Sequence, residues 1–138
     1  MILLSNINRL YWMITKERDY KNITVCTFGS DGVGNAIKRI TQANGKNIIL
    51  MNNPDILNIS ECMVVYISMT EESTADEILW RLKSQQILSI SAIPGFTEMR
   101  GTVQIVREYN KVYFRFNVES ARAAQIVIDS DLLNMSTE

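Results

Sequence analysis

The chain has 138 residues, of which 46% are hydrophobic and 21% charged, with a net charge of −1 and no histidine. This length and composition are typical of one globular domain, and we predict a single domain over residues 1–138. The near-zero charge argues against a protein held on nucleic acid or on an anionic membrane. The absence of histidine excludes serine–histidine and cysteine–histidine nucleophilic sites, histidine general bases and histidine-liganded metals.

The first half of the chain alternates predicted helices and strands. Residues 2–14 carry hydrophobic residues at helical spacing, which predicts an amphipathic helix. Residues 22–28 are almost wholly apolar and rich in β-branched side chains, as expected of a central parallel strand. Helical spacing resumes over residues 33–43, and residues 46–51 form the next predicted strand. The glycines at 29–34 have neither the dinucleotide-loop nor the P-loop spacing, so we interpret them as a tight turn.

The middle of the chain continues this pattern. We predict one helical turn at residues 56–59, a third buried strand at 62–68 and a fourth strand at 87–91. Acidic residues precede basic ones over residues 71–83, which is the order that complements a helix dipole. Because the dipole explains these carboxylates without an acid–base pair, we assign them no catalytic role.

The stretch from Ser89 to Asn117 contains a predicted antiparallel hairpin. Apolar and polar side chains alternate in both halves, which is typical of two strands with one face on the core and one in water. The turn falls at residues 108–110, where Asn110 is the residue best able to take a left-handed conformation. The predicted core face comprises Val103, Ile105, Val112, Phe114 and Phe116, and the outer face Thr102, Gln104, Lys111, Tyr113 and Arg115.

A helix over residues 118–124, a short strand or extended segment at 125–128 and an amphipathic turn at 129–135 complete the predicted elements. Helices that alternate with strands, followed by an antiparallel addition, indicate the α/β class. We therefore predict a three-layer α/β sandwich with a mixed, mostly parallel sheet and a C-terminal antiparallel hairpin.

The two cysteines, Cys26 and Cys62, lie inside or at the start of apolar runs. We favour two buried thiols that act as small hydrophobic residues. The alternative is a disulfide between neighbouring strands, which would suit an oxidising compartment. The sequence leaves both interpretations open.

The outer face of the predicted hairpin is basic and aromatic. Lys111, Tyr113 and Arg115 line it, with Arg107 close by. A sheet that stacks on RNA bases would need glycines and surplus positive charge that this chain lacks, so we predict no nucleic-acid binding. Tyr and Arg are enriched in protein interfaces, and we interpret this face as a protein-contact surface.

Several short motifs follow one another in a defined order along most of the chain. Upstream they comprise Trp12, the strand and turn at 23–29, and Cys62 before an apolar strand. Downstream they comprise Pro94-Gly95-Phe96, Arg100-Gly101, Thr102 to Val106, Lys111 to Phe116, Asn117, Ala121-Arg122-Ala123-Ala124 and Ile128 to Leu133. Their order and spacing resemble those of the YfiR-like proteins of bacterial envelopes.

Two positions depart from the family pattern. Arg100 occupies the first position of what is usually a Gly-Gly pair, and Asp129 stands where serine is common. Arg100 leaves the backbone less free at that point than glycine would.

The resemblance implies a small, exported, non-catalytic regulator without a metal or cofactor. Such proteins bind and repress an inner-membrane signalling protein by protein–protein contact, typically a diguanylate cyclase, which would place this chain in cyclic-di-GMP signalling. A sensor kinase is a second kind of partner. The resemblance also implies a homodimer and a periplasmic location, with the signal peptide removed from the chain as given and no direct insertion into the membrane.

We expect the partner or dimer surface on the outer face of the hairpin and on the loop from Pro94 to Gly101. The predicted contact residues are Phe96, Arg100, Tyr113 and Arg115.

An alternative function from another class is a small-molecule sensor. Open α/β sheets bind ligands at the carboxyl ends of their strands. The pocket would then lie near Gly29, Ser68 and Ser91.

Overall fold

The computed structural model describes residues 23–30 and 48–126 of the chain. The predicted N-terminal helix, the helix predicted at 33–43 and the amphipathic turn predicted at 129–135 lie outside these residues.

Within the described residues, one sheet of six strands forms the centre of the fold. The strands are β1 (Ile23–Phe28), β2 (Ile48–Asn52), β3 (Val64–Ile67), β4 (Leu88–Ser91), β5 (Val103–Glu108) and β6 (Lys111–Phe116). Their order is β2-β1-β3-β4-β5-β6. All neighbours pair in parallel except β5 and β6, which form an antiparallel hairpin. The predicted mixed, mostly parallel sheet is confirmed.

Short helices lie between these strands or follow the last of them. They are a first 3₁₀ helix (Ile56–Glu61), a second 3₁₀ helix (Met69–Thr74), α1 (Ala75–Arg81) and α2 (Val118–Ala123). Each of these helices except α1 is capped at its first turn by a side chain. The caps Asp55, Ser68 and Asn117 accept hydrogen bonds from backbone N–H groups two or three residues later. Gln125 takes a left-handed φ of 59° after α2, so the described part of the segment predicted at 125–128 is a turn.

The central strands are buried on both faces. One face, here called the helix face, carries Val65 and Ile67, which pack in one apolar cluster with Ile78 of α1 and Ile59 of the first 3₁₀ helix. On the opposite face, residues such as Val64 are equally inaccessible, and all four residues of β3 and of β4 are buried. Burial on both faces explains why these strands are continuous apolar runs.

The hairpin differs from its predicted burial on both faces. Ile105 and Phe116, assigned to the core face, are only half-buried. Val103 is buried as expected, but Thr102 and Gln104, assigned to the water-facing side, are buried as well. The loop before β5 covers this side, and the Thr97 N–H and hydroxyl both donate to Oε1 of Gln104, over 3.2 and 3.1 Å. Burial therefore decreases along β5 instead of alternating, from buried Val103 through half-buried Ile105 to exposed Arg107.

The interpretation of Cys26 and Cys62 as free thiols is wrong. The two residues form a disulfide, with Cα atoms 5.8 Å apart. The strand register places Cys26 beside Val65, and Cys62 is the C-cap of the first 3₁₀ helix, just before β3. Ile59 of that helix packs in the same apolar cluster as both cysteines, which brings Cys62 over Cys26. Both cysteines are buried in the core, at 0% and 3% exposure.

Candidate functional site

The loop from Pro94 to Gly101 folds as a series of tight turns held at several points. At its start, Phe96 N donates over 3.1 Å to the carbonyl oxygen of Ile93, which precedes the loop, and at its end Gly101 N donates to Phe96 O over 2.9 Å. From outside, the Asn117 side chain donates to Thr97 O over 2.9 Å. Because Asn117 also caps α2, one side chain joins the loop to the end of the hairpin.

Phe96 anchors this loop to the core. Its side chain is 0% exposed and belongs to the apolar cluster on the helix face. The expectation that Phe96 touches a partner directly is therefore corrected, because the ring faces the protein interior. Its role in any surface is to position the loop.

Arg100 lies in the same loop with an unusual backbone. Its φ is 76°, in the left-handed region, and its N–H donates to Thr97 O over 3.1 Å. Left-handed backbone is costly for residues with a Cβ, and glycine adopts it freely. The loop thus keeps the geometry expected of glycine at the position where the family pattern has glycine, and Arg100 adopts it with strain. The Arg100 side chain is exposed.

We predict that Arg100→Gly stabilises the protein by about 0.5–1 kcal/mol. Relief of the left-handed backbone contributes about 1–2 kcal/mol, and the greater freedom of glycine in the unfolded chain offsets about 0.5–1 kcal/mol. Urea unfolding of the two proteins measures this difference. Arg107→Gly is the matched control, because Arg107 is an exposed strand residue for which glycine should destabilise. Equal destabilisation by both changes would contradict the assignment of strain to Arg100.

The predicted outer face of β6 lies beside this loop. Gln104 is the register partner of Arg115, and Gln104 also accepts the hydrogen bonds from Thr97. Tyr113 and Arg115 are half-buried, and Lys111 is exposed. The structure therefore brings the loop, Tyr113 and Arg115 to one side of the sheet, and we call the surface formed by Arg100, Tyr113 and Arg115 the hairpin surface.

The tip of the hairpin carries a residue that the sequence did not single out. Tyr109 and Asn110 have φ of 51° and 63°, which makes a two-residue turn in which both central residues are left-handed. Asn110 matches its predicted conformation. Tyr109 is 90% exposed, and a bulky residue at such a position gives no turn signal that the sequence could offer.

The carboxyl ends of the strands are closely packed at the predicted ligand pocket. A Cβ on Gly29 would meet Ser68 Cβ and Thr70 Oγ1 at 2.5 Å, so these side chains pack directly against the Gly29 backbone. Ser91 is 0% exposed, and its hydroxyl donates to Ile67 O over 2.5 Å. Among the described residues, packing and hydrogen bonds fill the space beside Gly29, Ser68 and Ser91. A ligand pocket at this edge of the sheet stays a prediction.

A cleft does open elsewhere, on the helix face near the amino ends of β4 and β5. Its volume is about 440 Å³, and it lies between α1, α2 and the Pro94–Gly101 loop. Ser89 and Thr102 line it from the sheet, and Arg100 from the loop. We call it the α1–α2 cleft.

The described residues hold no helix of sufficient length and apolarity to cross a membrane. They also contain no group of acidic or cysteine side chains arranged to hold a metal ion.

The architecture is that of an α/β protein whose mostly parallel sheet ends in an antiparallel hairpin. A family model described as YfiR/HmsC-like matches residues 3–137, nearly the whole chain. The protein belongs to the YfiR/HmsC-like family, which is known for periplasmic regulators.

Comparison with solved structures agrees on the fold. A conserved domain protein from Vibrio cholerae O1 biovar El Tor str. N16961 superposes with a TM-score of 0.70 at 10% sequence identity. The match covers 97% of this chain and 59% of that protein, so the chain spans about three fifths of its structural relative. No curated protein matches the sequence.

Proposed function

We propose that this protein is a periplasmic, non-catalytic regulator that represses an inner-membrane signalling protein through direct contact, with a diguanylate cyclase as the leading partner. The observation that carries the proposal is the family match over residues 3–137. In this proposal the protein acts as a homodimer and needs no metal or cofactor.

The disulfide supports the location. Cytoplasmic thiols are kept reduced, whereas the bacterial periplasm is oxidising and maintains disulfides. Cys26 and Cys62 are both buried in the apolar cluster, so the bond lies where it adds stability rather than where it could exchange with other thiols.

The hairpin surface supports contact with a protein. Tyr and Arg are the residue types that most often carry binding energy at interfaces. Tyr113 and Arg115 are half-buried on a rigid antiparallel pair, so binding would immobilise little additional structure. Tyr109, at the tip of the same hairpin, extends this surface with a further exposed ring.

Genetic complementation tests the function. Deleting the gene should raise the cellular concentration of cyclic-di-GMP, and returning the wild-type protein should lower the concentration to its original value. Folded Tyr113→Ala and Arg115→Gln variants should lower the cyclic-di-GMP concentration less than the wild-type protein does. Their affinity for the partner's periplasmic domain should fall at least about fivefold. Arg122→Gln, which changes an exposed arginine of α2 outside the hairpin surface, is the matched control.

Two outcomes would count against the proposal in different ways. Unchanged cyclic-di-GMP after deletion would reject a cyclase as the target, and a kinase-dependent reporter would then be measured. Full repression by the folded Tyr113→Ala and Arg115→Gln variants would reject the hairpin surface. Sedimentation of the purified protein at several concentrations tests the homodimer.

A further inference from the structure

The α1–α2 cleft has the dimensions of a small-molecule site. Its volume of about 440 Å³ lies within the range of roughly 300–1,000 Å³ that ligand pockets occupy. It is bounded by separate elements of the fold, with α1 on one side, α2 on another and the Pro94–Gly101 loop at the rim. The sheet closes its base.

The lining combines a flat apolar wall with a polar base. Leu79 and Trp80 of α1 face Ala123 of α2, and Met99 adds a flexible thioether. The Trp80 side chain is 65% exposed, which is unusual for the largest apolar side chain. At the base, Ser89 and Thr102 line the cleft, and Thr102 N donates to the Ser89 hydroxyl over 2.9 Å.

The charges around the cleft favour an anion. Two cationic side chains, Lys83 and Arg100, line it against one carboxylate, Asp76. Arg100 has a left-handed backbone, with φ of 76°, which strains a residue that carries a Cβ. Strained residues of this kind concentrate at functional sites, where the surrounding structure maintains them. A guanidinium at the rim is suited to a carboxylate, sulfonate or phosphate group.

We infer that the α1–α2 cleft binds a small organic anion with a planar apolar body, whose ring packs on Trp80 and whose negative group meets Arg100. This site lies apart from the hairpin surface in all but Arg100. Ligand binding in the cleft does not depend on the identity of the protein partner. An experiment can therefore reject the ligand site without rejecting the proposed regulatory function, and the reverse also holds.

A pair of fluorescent probes tests the chemistry. 8-Anilinonaphthalene-1-sulfonate carries a planar body and an anionic group, and N-phenyl-1-naphthylamine carries the same kind of body without the charge. We expect saturable binding of the first at one site per chain, weaker binding of the second, and an affinity for the anionic probe that falls as salt is added.

Four variants locate the site on the protein. Trp80→Ala should weaken the anionic probe about tenfold, as expected on loss of an aromatic wall. Ala123→Trp should block binding by filling the cleft while leaving its charges in place. Arg100→Gly should weaken the anionic probe about fivefold, the effect of one exposed charge pair, and Arg107→Gln should leave it unchanged.

Arg100→Gly also separates binding from stability. This change should raise the melting temperature by about 2–4 °C, because it relieves the left-handed backbone, and it should lower the affinity for the anionic probe at the same time. Absence of saturable binding by the wild-type protein would overturn the inference. Equal affinity for both probes, or wild-type affinity in folded Trp80→Ala and Ala123→Trp variants, would overturn it as well.

Discussion

Replacing both cysteines, as Cys26→Ala with Cys62→Ala, should lower the free energy of unfolding by about 3–4 kcal/mol. The disulfide closes a loop between residues 36 positions apart. Chain entropy assigns about 3.8 kcal/mol to a loop of that length at 25 °C. Both sulfur atoms lie in the apolar cluster, so the variant also loses packing there. This loss is a large share of the roughly 5–15 kcal/mol that stabilises a domain.

Urea unfolding measures the effect. With a slope of about 2 kcal/mol per molar, the midpoint should fall by about 2 M. Wild-type protein unfolded in the presence of a thiol reductant should lose a similar amount, and the double variant should be insensitive to the reductant. Equal midpoints for wild type and variant without reductant would show that the bond does not form in solution. That result would also remove the disulfide as support for a periplasmic location.

The sheet could be predicted from the sequence because its signals are local. The apolar, β-branched runs at Ile23–Phe28 and Val64–Ile67 are what strands buried on both faces require. The turn at Asn110 depends on a single residue type, and its left-handed conformation is observed.

The features that the sequence left open or missed depend on contacts between distant parts of the chain. The disulfide forms because the first 3₁₀ helix, capped by Cys62, packs in the same apolar cluster as Cys26 of β1, and residue spacing does not reveal this packing. Thr102 and Gln104 are buried because Ser89 and Thr97 bond to them. Each of these partners lies on another element of the fold. The alternation of residues within one strand does not predict such contacts.

The candidate sites also contain residues that a local pattern predicts and residues whose position depends on distant contacts. Tyr113 and Arg115 reach the surface because strand alternation is a local property. Phe96 does not, because whether a loop residue faces inward depends on the elements beneath it. The α1–α2 cleft was not predicted at all, since its walls come from two helices and a loop that approach one another only in the folded protein.

Phe96→Ala should lower the free energy of unfolding by about 3–5 kcal/mol, the usual cost of removing a fully buried phenylalanine. The ring is 0% exposed and lies in the apolar cluster with Ile93. Its main chain also holds the loop, through the bonds to Ile93 and Gly101. The destabilisation should therefore be accompanied by faster amide hydrogen exchange in the Pro94–Gly101 loop.

The close packing of the Phe96 ring against Gly101 can be tested with a double-mutant cycle. A Cβ on Gly101 would overlap the Phe96 ring, so Gly101→Ala should cost about 1–3 kcal/mol by overpacking. Phe96→Leu removes Cε2 and Cζ, two of the three ring atoms that would overlap. The cost of Gly101→Ala should consequently shrink in the Phe96→Leu background, with a coupling energy of about 0.5–3 kcal/mol.

Gly95→Ala provides the control for this double-mutant cycle. A Cβ there would lie 3.8 Å from its nearest neighbour, Glu98 Oε2, so its cost arises from the positive φ of 78° and not from the ring. That cost should be the same with Phe96 or with leucine at this position, because the backbone strain does not involve the side chain. Additive effects of Gly101→Ala and Phe96→Leu, measured by urea unfolding, would show that the ring and the glycine do not pack together. The buried ring would then no longer explain why the chain turns so closely before β5.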